Sequence, residues 1–267
     1  MHVQKNGRLA PTGVNLLFPQ VRDKRDITGI VAAFCNRLSD VVANALMEGH
    51  FPIIIGGDHS CAIGTWAGVH HVFDGPLGMI WVDAHMDSHI PETSPSGALH
   101  GMPLAALLGL GDGALTQING ETPTLNPQNV CLYGVRSYEA GEAAILQNLG
   151  VRVITMEEIN DVGHKATWNL ALSIAKQHTV GYGISIDLDA VDPKDAPGVG
   201  SPEPGGLPGR WLAELLFSVK CDSELIALEI AEFNPYLDRN NQTLGVIDDI
   251  ISAVLDQEIC YARHHQA

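Results

Sequence analysis

The sequence has little of what nucleic-acid-binding, membrane-spanning or secreted proteins need. Its 15 Lys and Arg are outnumbered by 31 Asp and Glu, and the resulting net charge of −16 repels phosphate groups and anionic lipid headgroups. No continuous apolar run approaches the ~20 residues that span a bilayer, and the N-terminus lacks the apolar core of a signal peptide. We therefore expect a cytoplasmic protein that binds neither nucleic acid nor membrane.

Cysteines are few as well, and their arrangement argues against two kinds of site. The five cysteines are odd in number, widely spaced and free of any CxxC pair. This pattern disfavours both a disulfide framework and a thiolate zinc site. We expect each of them to be a buried thiol: Cys35, Cys61, Cys131, Cys221 and Cys260.

What the sequence does contain is an alternation of short apolar runs with segments of helical period. This alternation is typical of βαβ units around a parallel sheet, and 267 residues with 45% hydrophobic content suit one domain. The predicted strands are Phe51–Ile55, Met79–Asp83, Val130–Gly134, Val151–Ile154, Gly183–Leu188 and Leu225–Ile230. The predicted helices are Phe34–Leu46, Glu139–Asn148, Thr167–Gln177, Trp211–Val219 and Val246–Leu255.

Three of the predicted strands end in segments rich in Asp and His: GGDHS at 56–60, DAHMD at 83–87 and SIDLDAVDP at 185–193. The carboxyl ends of parallel strands border the ligand crevice of an open α/β sheet. A single Asp at a strand end is most often a helix cap or turn former. Three such clusters, however, would be costly to bury without a neutralising cation. Carboxylates with a minority of imidazoles suit manganese or a similar divalent ion, and two such ions can acidify a shared water. The clusters therefore predict a metal-dependent hydrolase.

The same three segments resemble the signature motifs of the ureohydrolase family, which includes arginases and agmatinases. The resemblance implies an α/β fold: a single-domain, three-layer αβα, doubly wound parallel sheet over residues 1–267, with residues 1–30 as a shortened or irregular N-terminal segment. It also implies a homo-oligomer, a trimer or hexamer. Two Mn²⁺ per chain would be held by His59, Asp83, Asp87 and Asp187, and by His85, Asp83, Asp187 and Asp189, with Asp83 and Asp187 bridging.

Two further matches to this family suggest catalytic residues. The segment LHGMP at 99–103 resembles the arginase LHGxP segment, which makes His100 the expected proton shuttle. The segment EFNP at 232–235 resembles the E-x-N-P strand end of the family. Glu232 is therefore expected to hold the guanidinium, because a planar cation with paired N–H donors matches a carboxylate.

The substrate-binding candidates are Ser96, His89, Asn160 and Ser201. Ser96 retains a family serine, whereas His89, Ala98 and Asn160 replace the asparagine or aspartate expected from the family pattern. The sequence thus predicts hydrolysis of a small guanidino compound, L-arginine before others, to urea and an amine. The alternatives are agmatinase or guanidinobutyrase activity, hydrolysis of formiminoglutamate, and a non-catalytic metal-binding regulatory homologue.

Overall fold

A computed structural model describes residues 2–3, 9–10, 26–120 and 123–255 of the protein. The expected irregular segment at residues 1–30 therefore lies mostly outside the described residues. Near the N-terminus, β1 (His2–Val3) pairs antiparallel with β2 (Leu9–Ala10).

The main sheet has six strands, all parallel, and every strand predicted from the sequence is among them. The sheet order is β3-β8-β7-β4-β5-β6. The four inner strands are buried throughout, as expected of a sheet that is covered on both faces, whereas the two edge strands are only partly buried. The bounds of the six strands are β3 (Ile53–Ile55), β4 (Leu77–Val82), β5 (Val130–Val135), β6 (Arg152–Thr155), β7 (Gly181–Asp187) and β8 (Leu225–Ala231).

Helices cover both faces of the sheet. They are α1 (Ile27–Met47), α2 (Cys61–Val72), α3 (Pro103–Leu107), α4 (Gly113–Thr116), α5 (Ala140–Leu149), α6 (Met156–Val162), α7 (His164–Ala175), α8 (Gly209–Phe217) and α9 (Gln242–Leu255). Alternate residues of a strand point to opposite faces. In β4, Met79 and Trp81 accordingly join one core cluster with α1, α2, α3 and α5, while Ile80 and Val82 join the other with α6 to α9. The predicted three-layer, doubly wound α/β architecture is thereby confirmed.

Helix α1 departs from the expectation that no segment could span a membrane. Its 21 residues are long and apolar enough to cross a membrane by length and composition alone, a test that the core helix of a soluble protein can also pass. The structure gives another reason for its apolar character, because α1 packs closely against α2. A Cβ added at Gly64 or Gly68 of α2 would lie 2.6 Å from the carbonyl oxygen of Cys35 or 2.5 Å from that of Ser39. The two glycines thus permit close approach of the two helices.

Three cysteines are buried free thiols, as predicted: Cys35, Cys61 and Cys131. Burial raises the pKa of Cys35 and of Cys131 to about 12, which makes these thiols poor nucleophiles. Cys221 is instead disulfide-bonded, so the prediction of a thiol is wrong there. It lies half-buried in the turn after α8, outside the core that encloses the other three. Cys260 lies outside the described residues.

The strand order places one crevice at the centre of the sheet. From β4 the chain winds outward through β5 and β6, whereas from β7 it winds the other way through β8. The connections that leave β4 and β7 therefore diverge, and the gap between their carboxyl ends is a topological switch point. Asp83 directly follows β4 and Asp187 ends β7, so both lie at this gap.

Candidate metal centre and substrate cavity

Four of the predicted metal-binding side chains converge at the bottom of this crevice. His59, from the loop after β3, is fully buried, and its Nδ1 is the common point of approach. Nδ1 lies 3.0 Å from Oδ2 of Asp87, 3.2 Å from Oδ2 of Asp187 and 3.3 Å from Oδ2 of Asp83. Together these residues form a deep group in which one imidazole and three carboxylates could hold a cation.

A second, outer group shares one residue with the deep group. Nδ1 of His85 lies 3.1 Å from Oδ2 of Asp189 and 3.5 Å from Oδ1 of Asp83. The two oxygens of Asp83 therefore face different histidines, the arrangement expected of a bridging carboxylate. Asp187 is expected to bridge as well, but its Oδ1 accepts a hydrogen bond from the Asp189 backbone N–H at 2.8 Å.

Neighbouring groups fix the orientation of these ligands. The ring of Trp81 stacks on that of His59 with centroids 4.2 Å apart, and its Nε1 donates to Oδ2 of Asp83 at 2.9 Å. Asp87 has a left-handed backbone (φ 48°), a conformation that costs energy for a residue other than glycine. The carbonyl oxygen of Asp87 accepts the Leu104 N–H of α3 at 2.9 Å, which holds this turn in place.

Burial and the short distances between the side chains shift the pKa values of the residues in the two groups. Burial alone lowers the pKa of His59, but contacts with Asp187 and two further aspartates outweigh it and raise the pKa well above its usual value. The pKa of His85 rises to about 12, because Asp189 and Asp83 outweigh the effect of burial. Burial, reinforced by the charge of Asp83, raises the pKa of Asp187 to about 6. Burial likewise raises the pKa of Asp87 and of Asp189, so full ionisation of these carboxylates requires additional positive charge nearby.

The residues present fit a pair of divalent cations. Within the described part of the chain, Nδ1 of His59 and Oδ2 of Asp87 are buried without a hydrogen-bond partner, although they lie 3.0 Å apart. Buried polar atoms are rarely left unpaired, and two ligand atoms aimed at a common point are best explained by a metal ion between them. The oxygen-rich donor set with two imidazoles suits manganese better than a structural zinc ion.

A cavity of about 160 Å³ opens above the two groups. Its floor includes His85, Asp87, Asp187 and Asp189. The cavity also contains most of the predicted catalytic and substrate-binding side chains, which come from the three connections that follow β4, β7 and β8: His89, Ser96, His100, Ser201 and Glu232. Hence the chain brings these residues together although up to 143 positions separate them in the sequence.

Asn160 is the predicted site residue that the structure places elsewhere. It is exposed on α6, beyond the edge strand β6, and is not among the described residues that line the cavity. The prediction that Asn160 contacts substrate within this cavity is therefore corrected. The resemblance of residues 156–163 to a family segment suggested that role. Helix α6, however, follows β6, the edge strand that lies farthest from β3 in the sheet.

Two glutamates that the sequence analysis missed line the cavity instead. Glu139 is exposed at the rim, whereas Glu142 is buried beneath it. Oε2 of Glu139 lies 3.1 Å from Nε2 of His89, and this contact with His89 lowers the pKa of Glu139. Oε1 of Glu142 accepts the backbone N–H of Glu139 at 3.0 Å, a capping interaction at the start of α5. A capping box in the sequence could have located the start of α5, but no local signal marks Glu139 as a cavity residue.

Comparison with known proteins agrees with this geometry. Residues 10–255 match the arginase family. The chain belongs to that family. Arginase of Bacillus caldovelox is 41% identical over 230 residues, which make up 86% of this chain and 76% of the relative. Its native crystal structure at pH 5.6 has a TM-score of 0.85 at 38% identity and covers 91% of this chain and 82% of that one. The structure of Entamoeba histolytica arginase in complex with L-ornithine has a TM-score of 0.80 at 30% identity, with coverage of 86% and 78%.

Membership in the arginase family indicates the activity of the protein and the role of the two ligand groups. The protein is a hydrolase that acts on C–N bonds of linear amidines. The deep and outer groups are the candidate ligands of a binuclear metal site of the arginase family.

Proposed function

We propose that the protein hydrolyses L-arginine to L-ornithine and urea at a centre of two manganese ions. His59, Asp83, Asp87 and Asp187 would hold one ion, and His85, Asp83, Asp187 and Asp189 the other. When bound, the two ions would lower the pKa of a water molecule and so supply the nucleophile at neutral pH. The observation that carries the proposal is a cavity with ligand groups for two metals at its floor and two further carboxylates in its lining, Glu232 beside the deep group and Glu139 exposed at the rim.

Glu232 has the position of a guanidinium-binding carboxylate. It follows β8 with a left-handed backbone (φ 64°), and its Oε1 accepts the His59 backbone N–H at 2.9 Å. This hydrogen bond fixes the carboxylate beside the deep ligand group and leaves Oε2 for a cationic N–H donor. The substrate carbon attached to these nitrogens would thereby be oriented toward the metal side of the cavity.

His100 is proposed to transfer a proton to the leaving amine. It lies in a short 3₁₀ helix, Leu99–Gly101, and is exposed at the cavity edge. A histidine in this place can accept a proton from solvent on one ring nitrogen and deliver a proton into the cavity from the other. The carbonyl oxygen of Gly101 accepts the His89 N–H at 3.0 Å, so the turn bearing His100 is fixed to an earlier part of the same β4–α3 connection.

The outer end of the cavity supports a substrate with an ammonium and a carboxylate. Glu139 offers an exposed carboxylate for the ammonium, while the Ser96 hydroxyl and His89 lie on the same rim for the carboxylate. Ser201 lines the same cavity and would contribute a further hydroxyl. Agmatine is the second candidate. It has no carboxylate, and no Lys or Arg that could bind one is found among the described residues of the lining.

The test is urea release by manganese-loaded protein with L-arginine, agmatine, 4-guanidinobutyrate and free guanidine. We expect L-arginine to have the highest kcat/KM and 4-guanidinobutyrate to be poor, because its anionic tail would lie against Glu139. Glu139→Gln should weaken turnover of L-arginine and agmatine but leave that of free guanidine unchanged. A preference for agmatine would overturn the substrate assignment, and two bound manganese ions without urea from any compound would overturn the activity.

Three further proposals follow from the sequence analysis. We propose a single catalytic domain, a cytoplasmic location and a homo-oligomer, either a trimer or a hexamer. Light scattering coupled to size-exclusion chromatography would measure the assembly, and a mass of 28.6 kDa would indicate a monomer and contradict it.

A further inference from the structure

A buried carboxylate that the proposed reaction does not use lies behind the metal centre. Glu229 of β8 is fully buried, and no cationic side chain among the described residues pairs with it. Neutral donors surround it instead: Oε1 accepts the Thr65 hydroxyl at 2.6 Å, and Oε2 accepts Nε1 of Trp66 at 3.1 Å and the Ser185 hydroxyl at 2.7 Å. Burial of a charge without a counterion is costly, so its presence calls for a reason.

The hydrogen bonds lead from Glu229 to the deep ligand group. Oγ of Ser185 lies 3.0 Å from Nε2 of His59. A serine hydroxyl has one hydrogen, and Ser185 donates it to Oε2 of Glu229, so Ser185 must accept from His59. Nε2 of His59 then bears a ring proton, so the lone pair that a metal needs can be only on Nδ1, which faces the three aspartates.

We propose that Glu229 is a positioning residue of the metal centre, acting through Ser185 to hold His59 as the tautomer that binds metal. The proposal rests on the proposed two-metal function and adds to it a carboxylate outside the ligand set. Partners of this kind orient a ligating imidazole and increase its basicity, and their loss typically lowers metal affinity by about 10–100-fold.

A purely structural role is the competing explanation, since Glu229 also connects β8 to α2 through Thr65 and Trp66. The two roles depend on different contacts. Ser185 belongs to the path that reaches His59, whereas Thr65 contacts Glu229 without reaching the metal ligands. Substitutions at Ser185 and Thr65 therefore separate a metal-positioning role from a packing role.

The experiment measures the dissociation constant of Mn²⁺ from the full chain, using the electron paramagnetic resonance signal of free Mn²⁺ after equilibrium dialysis. Ser185→Ala and Glu229→Gln are each expected to weaken the tighter Mn²⁺ site by about 10–100-fold. The matched control, Thr65→Val, should lower the thermal stability of the apoprotein but leave the Mn²⁺ dissociation constant within threefold of wild type. The double variant Ser185→Ala/Glu229→Gln should bind Mn²⁺ no more weakly than whichever single variant binds it more weakly, because the two residues act along one path.

Several outcomes would decide against the proposal. An unchanged Mn²⁺ dissociation constant in folded Ser185→Ala would overturn it, even if Glu229→Gln failed to fold. Equal weakening by Thr65→Val would show that Glu229 acts through packing. Wild-type protein that binds no Mn²⁺ would overturn both this inference and the proposed function, whereas two bound ions without urea release would overturn only the latter.

Discussion

Glu232→Gln is the substitution that tests the substrate-binding geometry most directly. Oε1 of Glu232 is already committed to the His59 backbone N–H at 2.9 Å, and the side chain lines the cavity. Glutamine has the same shape but only one acceptor oxygen. If that oxygen keeps the bond to His59, the amide nitrogen replaces Oε2 and presents N–H donors to the N–H donors of the guanidinium.

The expected loss follows from these contacts. One charge-assisted hydrogen bond to the guanidinium disappears, which costs about 1.5–3 kcal/mol, and a donor facing a donor leaves a buried group unpaired at a further cost of about 1–3 kcal/mol. A combined loss of about 2.5–6 kcal/mol lowers kcat/KM by roughly two to four orders of magnitude. The guanidinium is common to L-arginine, agmatine and 4-guanidinobutyrate, so the fold-change should be similar for all substrates that are turned over.

The assay is urea release with manganese content measured on the same samples. Wild type, Glu232→Gln and a control, Glu224→Gln, would be compared, since Glu224 is exposed at the opposite end of β8. Two retained metals with a fall of less than fivefold would refute the guanidinium assignment. Loss of metal along with activity would instead show that Glu232 serves to hold the His59 loop.

Three further predictions concern packing, pH and proton transfer. A Cβ at Gly183 would lie 2.0 Å from Cζ3 of the Trp66 ring. Gly183→Ala should therefore lower the free energy of unfolding by about 1–3 kcal/mol. A loss below about 0.5 kcal/mol in urea denaturation would contradict this packing. Burial opposes ionisation of Asp222, but the Lys176 ammonium at 2.5 Å and other donors outweigh it and lower its pKa. The resulting stability is fully present above the unfolded-state pKa of about 3.9 and is lost as pH falls through the lower folded-state pKa, so Asp222→Asn should destabilise at pH 7 by about 1 kcal/mol and by progressively less as pH falls below about 3.9. His100→Asn should lower kcat for urea release while two metals remain bound, and loss of a metal would refute its role as proton shuttle.

The sheet was predictable because its strands are short apolar runs ended by Gly, Pro or Asp. Helix α2 was missed for the opposite reason. Residues Cys61 to Val69 are buried without exception, since α2 lies between the sheet and α1. A helix enclosed on all sides has no polar face, and without one the sequence shows no period of 3.6 residues. Periodicity therefore detects helices at the surface, such as α8 and α9, better than helices of the core.

The site divides in a similar way between local and non-local information. The six predicted metal-binding residues lie in three segments at strand ends, so the sequence itself shows each cluster. Glu139, Glu142 and Glu229 come from separate elements and contact the site only after the chain has folded. The misplaced Asn160 illustrates the limit, because a family-like segment on α6 carries no information about its distance from the cavity.

The distribution of charge explains why the cavity suits a cation at both ends. Its lining contains more carboxylates than two divalent ions would neutralise, and no lysine or arginine is among the described lining residues. The nearby Arg136 is committed elsewhere, because its guanidinium donates to the backbone carbonyls of Asp189 and Glu203. The cavity would thus remain negative with both metals bound and attract a guanidinium. An anionic tail without an accompanying ammonium would meet Glu139 unopposed, and discrimination against such substrates would arise from repulsion at the rim.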